Sequence, residues 1–210
     1  MTRAVVPVSS QARDRRVLPM TDSSDNMDDS TAIRQGQGIG KRQPVPWLHV
    51  VLVEPEIAAN TGAIGRTCVA AGARLWLVRP LGFHLEDRHL RRAGLDYWEH
   101  LDLCVVDELG EVAERLGRNR LWSFSTKADL LYTEAVFEPG DAFVFGPESR
   151  GLPGSWLEEC PDHSLRIPIL PAARSLNLAS AVAIALFEGI RQLGLKQAPE
   201  LTGRTPGTRS

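Results

Sequence analysis

The sequence predicts an α/β fold: a single domain on a parallel sheet with helices on both faces. Two observations carry that expectation. Short apolar runs alternate along the chain with helical patterns, and the runs lack the in-out alternation of a sheet with one wet face. Strands apolar at every position must be covered on both sides, and an intervening helix supplies the cover. Ligands of such folds sit at the carboxyl ends of the strands.

Residues 47–54 (WLHVVLVE) form a continuous apolar strand stopped by Pro55. Residues 60–71 form an alanine-rich helix that opens on Asn60, a good N-cap residue, and ends before Gly72. Residues 75–78 are a strand, 87–93 a short helix, 103–106 a strand and 108–116 a helix. Two strands follow at 121–125 and 142–145, the second running into Gly146 and Pro147. A short helix at 155–159, a last strand at 165–167 and a long helix at 177–193 complete the pattern. The folded domain therefore spans 47–193. Residues 1–46, rich in Ser, Asp, Gln, Gly and Pro, read as a disordered N-terminal extension, and 194–210 as a flexible C-terminal tail.

The chain has 210 residues, 43% hydrophobic and 24% charged, which excludes collagen, long coiled coils and disulfide scaffolds. Its net charge of −2 conceals an acidic domain: residues 47–193 hold 14 basic and 20 acidic side chains. A protein that coats nucleic acid through bulk charge is far more basic, so any RNA must be held by a local arginine patch. Three widely spaced cysteines indicate neither a disulfide framework nor a zinc ribbon. Cys68, inside the first helix, reads as a small buried hydrophobe. The apolar run at 178–187 is about half of what a membrane span needs. Arg15-Arg16 is followed by polar residues rather than the apolar core of an export signal, so a cytoplasmic location is expected.

Two weak signals are set aside. The glycines at 36–41 are one residue short of a Walker loop, lack its Ser/Thr and follow no strand. His84 and His89 are five apart with no third ligand evident, so no metal is expected.

Three segments combine features that core packing does not require. In EPEIAANTGAIGR, residues 54–66, Asn60 and Arg66 lie where a strand passes into a helix and backbone N–H groups attract anions. These residues alone also fit a plain cap and a surface arginine. In FGPESRGLP, residues 145–153, two glycines and two prolines restrict a loop that displays Glu148, Ser149 and Arg150. In IPILPAARSLN, residues 167–177, the chain enters a helix whose first ten residues are apolar or small on almost every side. A helix apolar all round is buried all round, either by a second protomer or as a core helix of a monomer.

In this order and at these distances, N-x-G-x-x-x-R, F-G-P-E-S-R-G-L-P and the I-P…R-S-L-N-L-A segment resemble the three motifs of the SPOUT superfamily of RNA methyltransferases. Within it the chain is most similar to the small TrmL-type enzymes, and LRRAGLDY at 90–97 is a further match. The resemblance covers 47–193 and neither tail.

It implies 2′-O-methylation of the ribose at the wobble nucleotide, position 34, of tRNA, with S-adenosyl-L-methionine as methyl donor. Another tRNA or rRNA site, or an RNA-binding protein on the same scaffold without catalysis, are the alternatives. It also implies a C-terminal trefoil knot and a homodimer packed through the first and last helices. Phe187 stands where relatives commonly carry a tyrosine. Cofactor contacts fall on Phe124, Gly146, Ile167, Ser175 and Leu176. Arg66, Asn60, Glu148 and Asn177 are the implied catalytic set. A guanidinium stays charged at physiological pH, so Arg66 is better suited to hold a phosphate and stabilise the developing alkoxide than to act as a base. Asn60, Glu148 and Asn177 would orient that arginine and the ribose.

Arg150, Arg174, Arg91 and Arg92, with Arg66 and Arg88, are the candidates for gripping the anticodon stem-loop. Arginine suits bidentate phosphate contacts, and 21 of the 24 basic residues are arginine. His84 and Trp98 are candidates for stacking on unpaired bases.

Overall fold

A computed structural model describes residues 47–85 and 97–194. The two tails, the 36–41 glycine segment and the helix predicted at 87–93 lie outside the described residues.

Among the described residues seven parallel strands form one sheet. They are β1 (Leu48–Val53), β2 (Arg74–Val78), β3 (Leu103–Val106), β4 (Leu121–Phe124), β5 (Leu130–Leu131), β6 (Asp141–Phe145) and β7 (Ser164–Arg166), in the order β3-β2-β1-β6-β4-β7-β5. Four α-helices accompany them among the described residues: α1 (Ala58–Ala71), α2 (Leu109–Leu116), α3 (Gly154–Glu159) and α4 (Leu178–Leu193). The α/β class and helices on both faces are as the sequence predicts.

β1 explains the two-sided core. All six of its residues are buried. Leu48, Val50 and Leu52 join Ile64 of α1 and Val182, Leu186 and Ile190 of α4 on one face. Val51 and Val53 join Val112 of α2 on the other, with Trp156 and Leu157 of α3 packed against them. Each such aliphatic side chain contributes about 1.5–3 kcal/mol of burial. Cys68 is fully buried in the first cluster, and burial pushes its thiol well above the usual range.

Strand order positions the site. From β1 the chain steps outward through β2 to β3, then crosses to the other side, so β6 lies directly beside β1. The loops that leave the carboxyl ends of β1 and β6 are therefore neighbours, at the place where strand order reverses and where open α/β sheets bind ligands.

Two local expectations need correction, and one short strand lies where none is expected. α1 starts at Ala58 with Ile57 as its N-cap and no side-chain cap, so Asn60 sits in the first turn instead of opening the helix. The left-handed backbone of Glu54 (φ 48°) followed by Pro55 turns the chain early enough for the helix to begin before Asn60. The last strand is Ser164–Arg166, one residue earlier than predicted; Ile167 precedes Pro168 and leaves the sheet. β5 has only two residues, too few to show a period.

α4 is not apolar on a fully covered surface within one chain. Val182, Ala185, Leu186, Gly189 and Ile190 face the sheet, while Ile184 is 36% and Phe187 53% exposed on the opposite stripe. Among the described residues no helix is long and apolar enough to cross a membrane.

Candidate active site

The loop after β1 and the first turn of α1 supply Glu54, Glu56 and Asn60. The loop after β6 supplies Gly146, Glu148, Ser149 and Arg150, and the segment after β7 supplies Ser175, Leu176 and Asn177. Chain separation is large, so hydrogen bonds must set their registry.

They do so through one chain of contacts. Asn60 Nδ2 donates to Glu148 Oε1 at 2.9 Å, and the Glu56 backbone N–H donates to Glu148 Oε2 at 2.9 Å. Asn177 Nδ2 donates to Asn60 Oδ1 at 2.9 Å. Asn177 Oδ1 accepts from the backbone N–H groups of Ala179 and Ser180 at 3.0 and 3.4 Å, capping α4. A carboxylate only accepts, so Glu148 fixes which end of the Asn60 amide faces it. That choice fixes Asn177 in turn, and the helix N–H groups agree with it from the far end. Three of the four residues implied as catalytic are thus brought together.

Arg66 is the fourth, and it stands apart. It is exposed on α1, with its guanidinium carbon 4.9 Å from the ring centroid of Tyr97. Among the described residues no hydrogen bond joins it to Asn60, Glu148 or Asn177. The three orient one another, and an aromatic face steers the arginine, an interaction worth about 0.5–1 kcal/mol at exposed sites.

A second set of contacts ties the same loops. Glu56 accepts from the Ser149 N–H at 2.9 Å and from its hydroxyl at 2.6 Å. The Ser149 hydroxyl is the main reason the Glu56 carboxyl is held below the usual carboxylate range. Arg150 pairs with the Glu54 carboxylate and lies 3.9 Å from Glu56. One candidate RNA-binding arginine is therefore neutralised within the chain. Arg174 is exposed on the segment before α4, while Arg88, Arg91, Arg92 and His89 lie outside the described residues.

On the cofactor side, Phe124 ends β4 and Phe145 ends β6, their rings stacked at 4.8 Å with an interplanar angle of 16°. Gly146 follows. A Cβ there would lie 2.3 Å from backbone atoms of Gly151 and Leu152, so only glycine lets the loop close so tightly. Ile167 and Leu176 are half-buried and Ser175 is exposed. Phe124 and Phe145 are buried, so the apolar surface left to an adenine and ribose is that of Ile167 and Leu176, beside the backbone that follows β4 and β6.

Trp98 is half-buried with one edge of its ring against α1, where a Cβ on Gly65 would meet it at 3.3 Å. His84 is exposed beside an open cleft of about 660 Å³ that Arg79, Phe83 and Asp107 also line. Among the described residues no group of three or more His, Cys, Asp or Glu could hold a metal. Sequence reasoning missed the roles of Glu54, Glu56 and Tyr97. The acidic pair around Pro55 was visible, but its partners lie more than 90 residues away.

Residues 47–187 match the SpoU rRNA Methylase family. A tRNA (cytidine(34)-2'-O)-methyltransferase of Saccharophagus degradans is 46% identical over 148 residues, covering 70% of this chain and 96% of that protein. A structure solved for insight into the 2-OH methylation of C/U34 on tRNA superposes with a TM-score of 0.66 at 47% identity, covering 75% of this chain and 97% of that one. The SpoU methyltransferase AviRb of Streptomyces viridochromogenes, in complex with the cofactor AdoMet, superposes with a TM-score of 0.63 at 27% identity, covering 72% and 60%.

Proposed function

This chain belongs to the SpoU rRNA methylase family, and on that premise we propose that it is the S-adenosylmethionine-dependent enzyme that methylates the 2′-oxygen of nucleotide 34 in tRNA. The observation that carries the reading is the Glu148–Asn60–Asn177 chain, which joins all three motifs at the carboxyl ends of β1 and β6. Asn177 also caps α4 and Glu148 also takes the Glu56 N–H, but the bonds that link the three motifs run between these side chains themselves.

The residues fit the cofactor. Ile167 and Leu176 offer apolar surface for the adenine, while the backbone at Phe124, Gly146 and Ser175 offers donors and acceptors to its edge and the ribose. Bound there, S-adenosylmethionine supplies a methyl group on a sulfonium, already a good leaving group. The protein is left with two tasks: to place the ribose 2′-oxygen in line, and to ease loss of its proton. Positioning of this kind is worth on the order of 7–11 kcal/mol in favourable cases. Asn60, fixed at both ends of its amide, orients the ribose with Glu148 and Asn177. Arg66 holds the adjacent phosphate and stabilises the developing alkoxide. Arg174, Arg91 and Arg92 grip the anticodon stem-loop, with Arg150 joining them once a phosphate displaces Glu54.

The catalytic domain spans 47–193, with the family's trefoil knot where the 146–153 and 167–177 segments meet. The protein works as a homodimer through α1 and α4; the exposed Ile184 and Phe187 stripe supports this, being apolar surface that a second copy would cover. It works in the cytoplasm, with its tRNA. The deciding experiment is transfer of labelled methyl from S-adenosylmethionine to tRNA, with 2′-O-methyl mapping. Label at nucleotide 34 is expected. Label at another position would overturn the site, and no transfer would overturn the enzyme.

A further inference from the structure

We propose that Glu56 is a positioning residue for methyl transfer: its carboxylate holds the 146–153 loop against the start of α1 so that Glu148 faces Asn60. This rests on the function proposed above and adds to it a residue that touches no reacting atom.

The two loops exchange contacts reciprocally. Glu56 gives its backbone N–H to the Glu148 carboxylate at 2.9 Å. It takes with its own carboxylate the N–H and hydroxyl of Ser149 at 2.9 and 2.6 Å. Three hydrogen bonds thus join one residue of the first loop to two consecutive residues of the second, and all three end on a carboxylate and are of the stronger, charge-assisted kind.

The loop needs such a tether. Internally it is stiff, because Gly151 N–H donates to the Pro147 carbonyl at 2.8 Å and Gly146 leaves no room for a Cβ. Stiffness fixes its shape and not its registry with α1. Glu148 reaches Asn60 and the Glu56 N–H only through its own side chain, so it cannot fix the main chain of the loop alone. Glu56 can, because its own backbone is clamped from behind. Gly82 N–H donates to the Pro55 carbonyl at 2.9 Å, and a Cβ on Gly82 would lie 2.7 Å from the Glu56 Cα and carbonyl oxygen. With its main chain gripped and its carboxylate in reach of two Ser149 donors, Glu56 behaves as a fixed post. The same engagement, which holds its carboxyl below the usual range, makes it a poor proton acceptor and argues against a role as base.

The test compares the full-length wild type with Glu56→Ala, Glu56→Gln, Ser149→Ala and the double Glu56→Ala/Ser149→Ala variant. It reads kcat and KM on tRNA, the S-adenosylmethionine Kd and Tm. A small misplacement of reacting groups costs about a hundredfold. Glu56→Ala is therefore expected to lower kcat by roughly 10- to 100-fold, with KM, Kd and Tm nearly unchanged. Glu56→Gln, whose amide oxygen still accepts from Ser149, recovers most of that loss, and the double variant is no slower than Glu56→Ala. An unchanged kcat in Glu56→Ala, a loss shared equally by Tm or cofactor affinity, or no recovery in Glu56→Gln overturns the proposal. If the wild type itself transfers no methyl, the functional reading falls with it; if only the variants behave as wild type, this inference falls alone.

Discussion

Asn177 divides its amide between two tasks: Oδ1 caps α4 by accepting from Ala179 and Ser180, while Nδ2 donates to Asn60, 117 residues earlier in the chain. The start of the last helix and the first turn of the first helix are thereby held by one side chain. Capping and the contact with Asn60 draw on different atoms of it and can be separated.

Replacing Asn177 by Asp keeps the capping oxygen, places a negative charge where the α4 dipole favours it, and removes the donor to Asn60. Asn177→Asp is expected to match wild-type stability within about 0.5 kcal/mol while losing most of its methylation rate. Asn177→Ala loses both, at a cost of about 1 kcal/mol in urea unfolding. A fully active Asn177→Asp would show that the Asn177–Asn60 bond is not needed for the reaction.

Gly146 gives a steric prediction. A Cβ at 2.3 Å from the Gly151 carbonyl carbon and the Leu152 nitrogen meets backbone on both contacts, and backbone does not yield as a flexible side-chain tip does. Gly146→Ala is expected to cost about 1–3 kcal/mol, the usual range for forced overpacking, and to abolish calorimetric binding of S-adenosylmethionine. Retained binding would place the cofactor elsewhere.

Arg66 lies over Tyr97 and away from the amide chain, so its loss should spare the cofactor. Removing one donor aimed at developing charge costs about 10²–10³ in rate. Arg66→Ala is expected to lose at least that much methylation with S-adenosylmethionine affinity nearly unchanged. Arg66→Lys keeps the charge, loses the planar fork and its stacking, and should recover little. A large fall in cofactor affinity in either variant would assign Arg66 to the cofactor side.

What the sequence made legible follows from how each feature is encoded. β1, β2 and β6 were readable because a strand buried on both faces is apolar at nearly every position, a signal that needs no knowledge of neighbours. The Gly72 end of α1 was readable because a left-handed cap selects glycine. The start of α1 was not, since Asn60 has the chemistry of a cap and is used as a tertiary ligand instead. Glu148 and Asn177 could be named through motif resemblance, but their linkage through Asn60 could not. It depends on β6 lying beside β1, and strand order is not written in any local pattern.

His49 predicts an acid limb of stability. It is buried at the start of β1, its Nδ1 accepts from the Trp76 indole N–H at 3.2 Å, and burial followed by the nearby Arg74 guanidinium lowers its pKa from 6.5 to about 4. The folded state therefore keeps His49 neutral while the unfolded chain protonates it below about pH 6.5. Stability is full above that pH and falls as pH drops toward 4, by no more than about 3 kcal/mol. Urea unfolding at pH 7.5 and pH 5 should differ accordingly. Asp141, whose carboxyl burial pushes upward, contributes with the opposite sign. The comparison with His49→Gln therefore isolates the histidine: that variant should lose much of the slope, and an unchanged slope would locate the acid-sensitive group elsewhere.

Phe187 tests the assembly. Its ring is 53% exposed on the stripe of α4 that also carries Ile184, while the opposite stripe is buried against the sheet and α1. A charge placed there leaves the monomer core untouched, since Phe187 contributes nothing to either buried cluster. In a dimer through α4 the same charge would be desolvated beside apolar surface, at a cost of several kcal/mol. Phe187→Asp is accordingly expected to elute as a folded monomer by light scattering, with unfolding close to wild type and methylation largely lost if RNA-binding arginines are shared across the interface. A dimeric Phe187→Asp would move the interface off this stripe, and a monomeric but fully active one would show that a single chain carries a complete site.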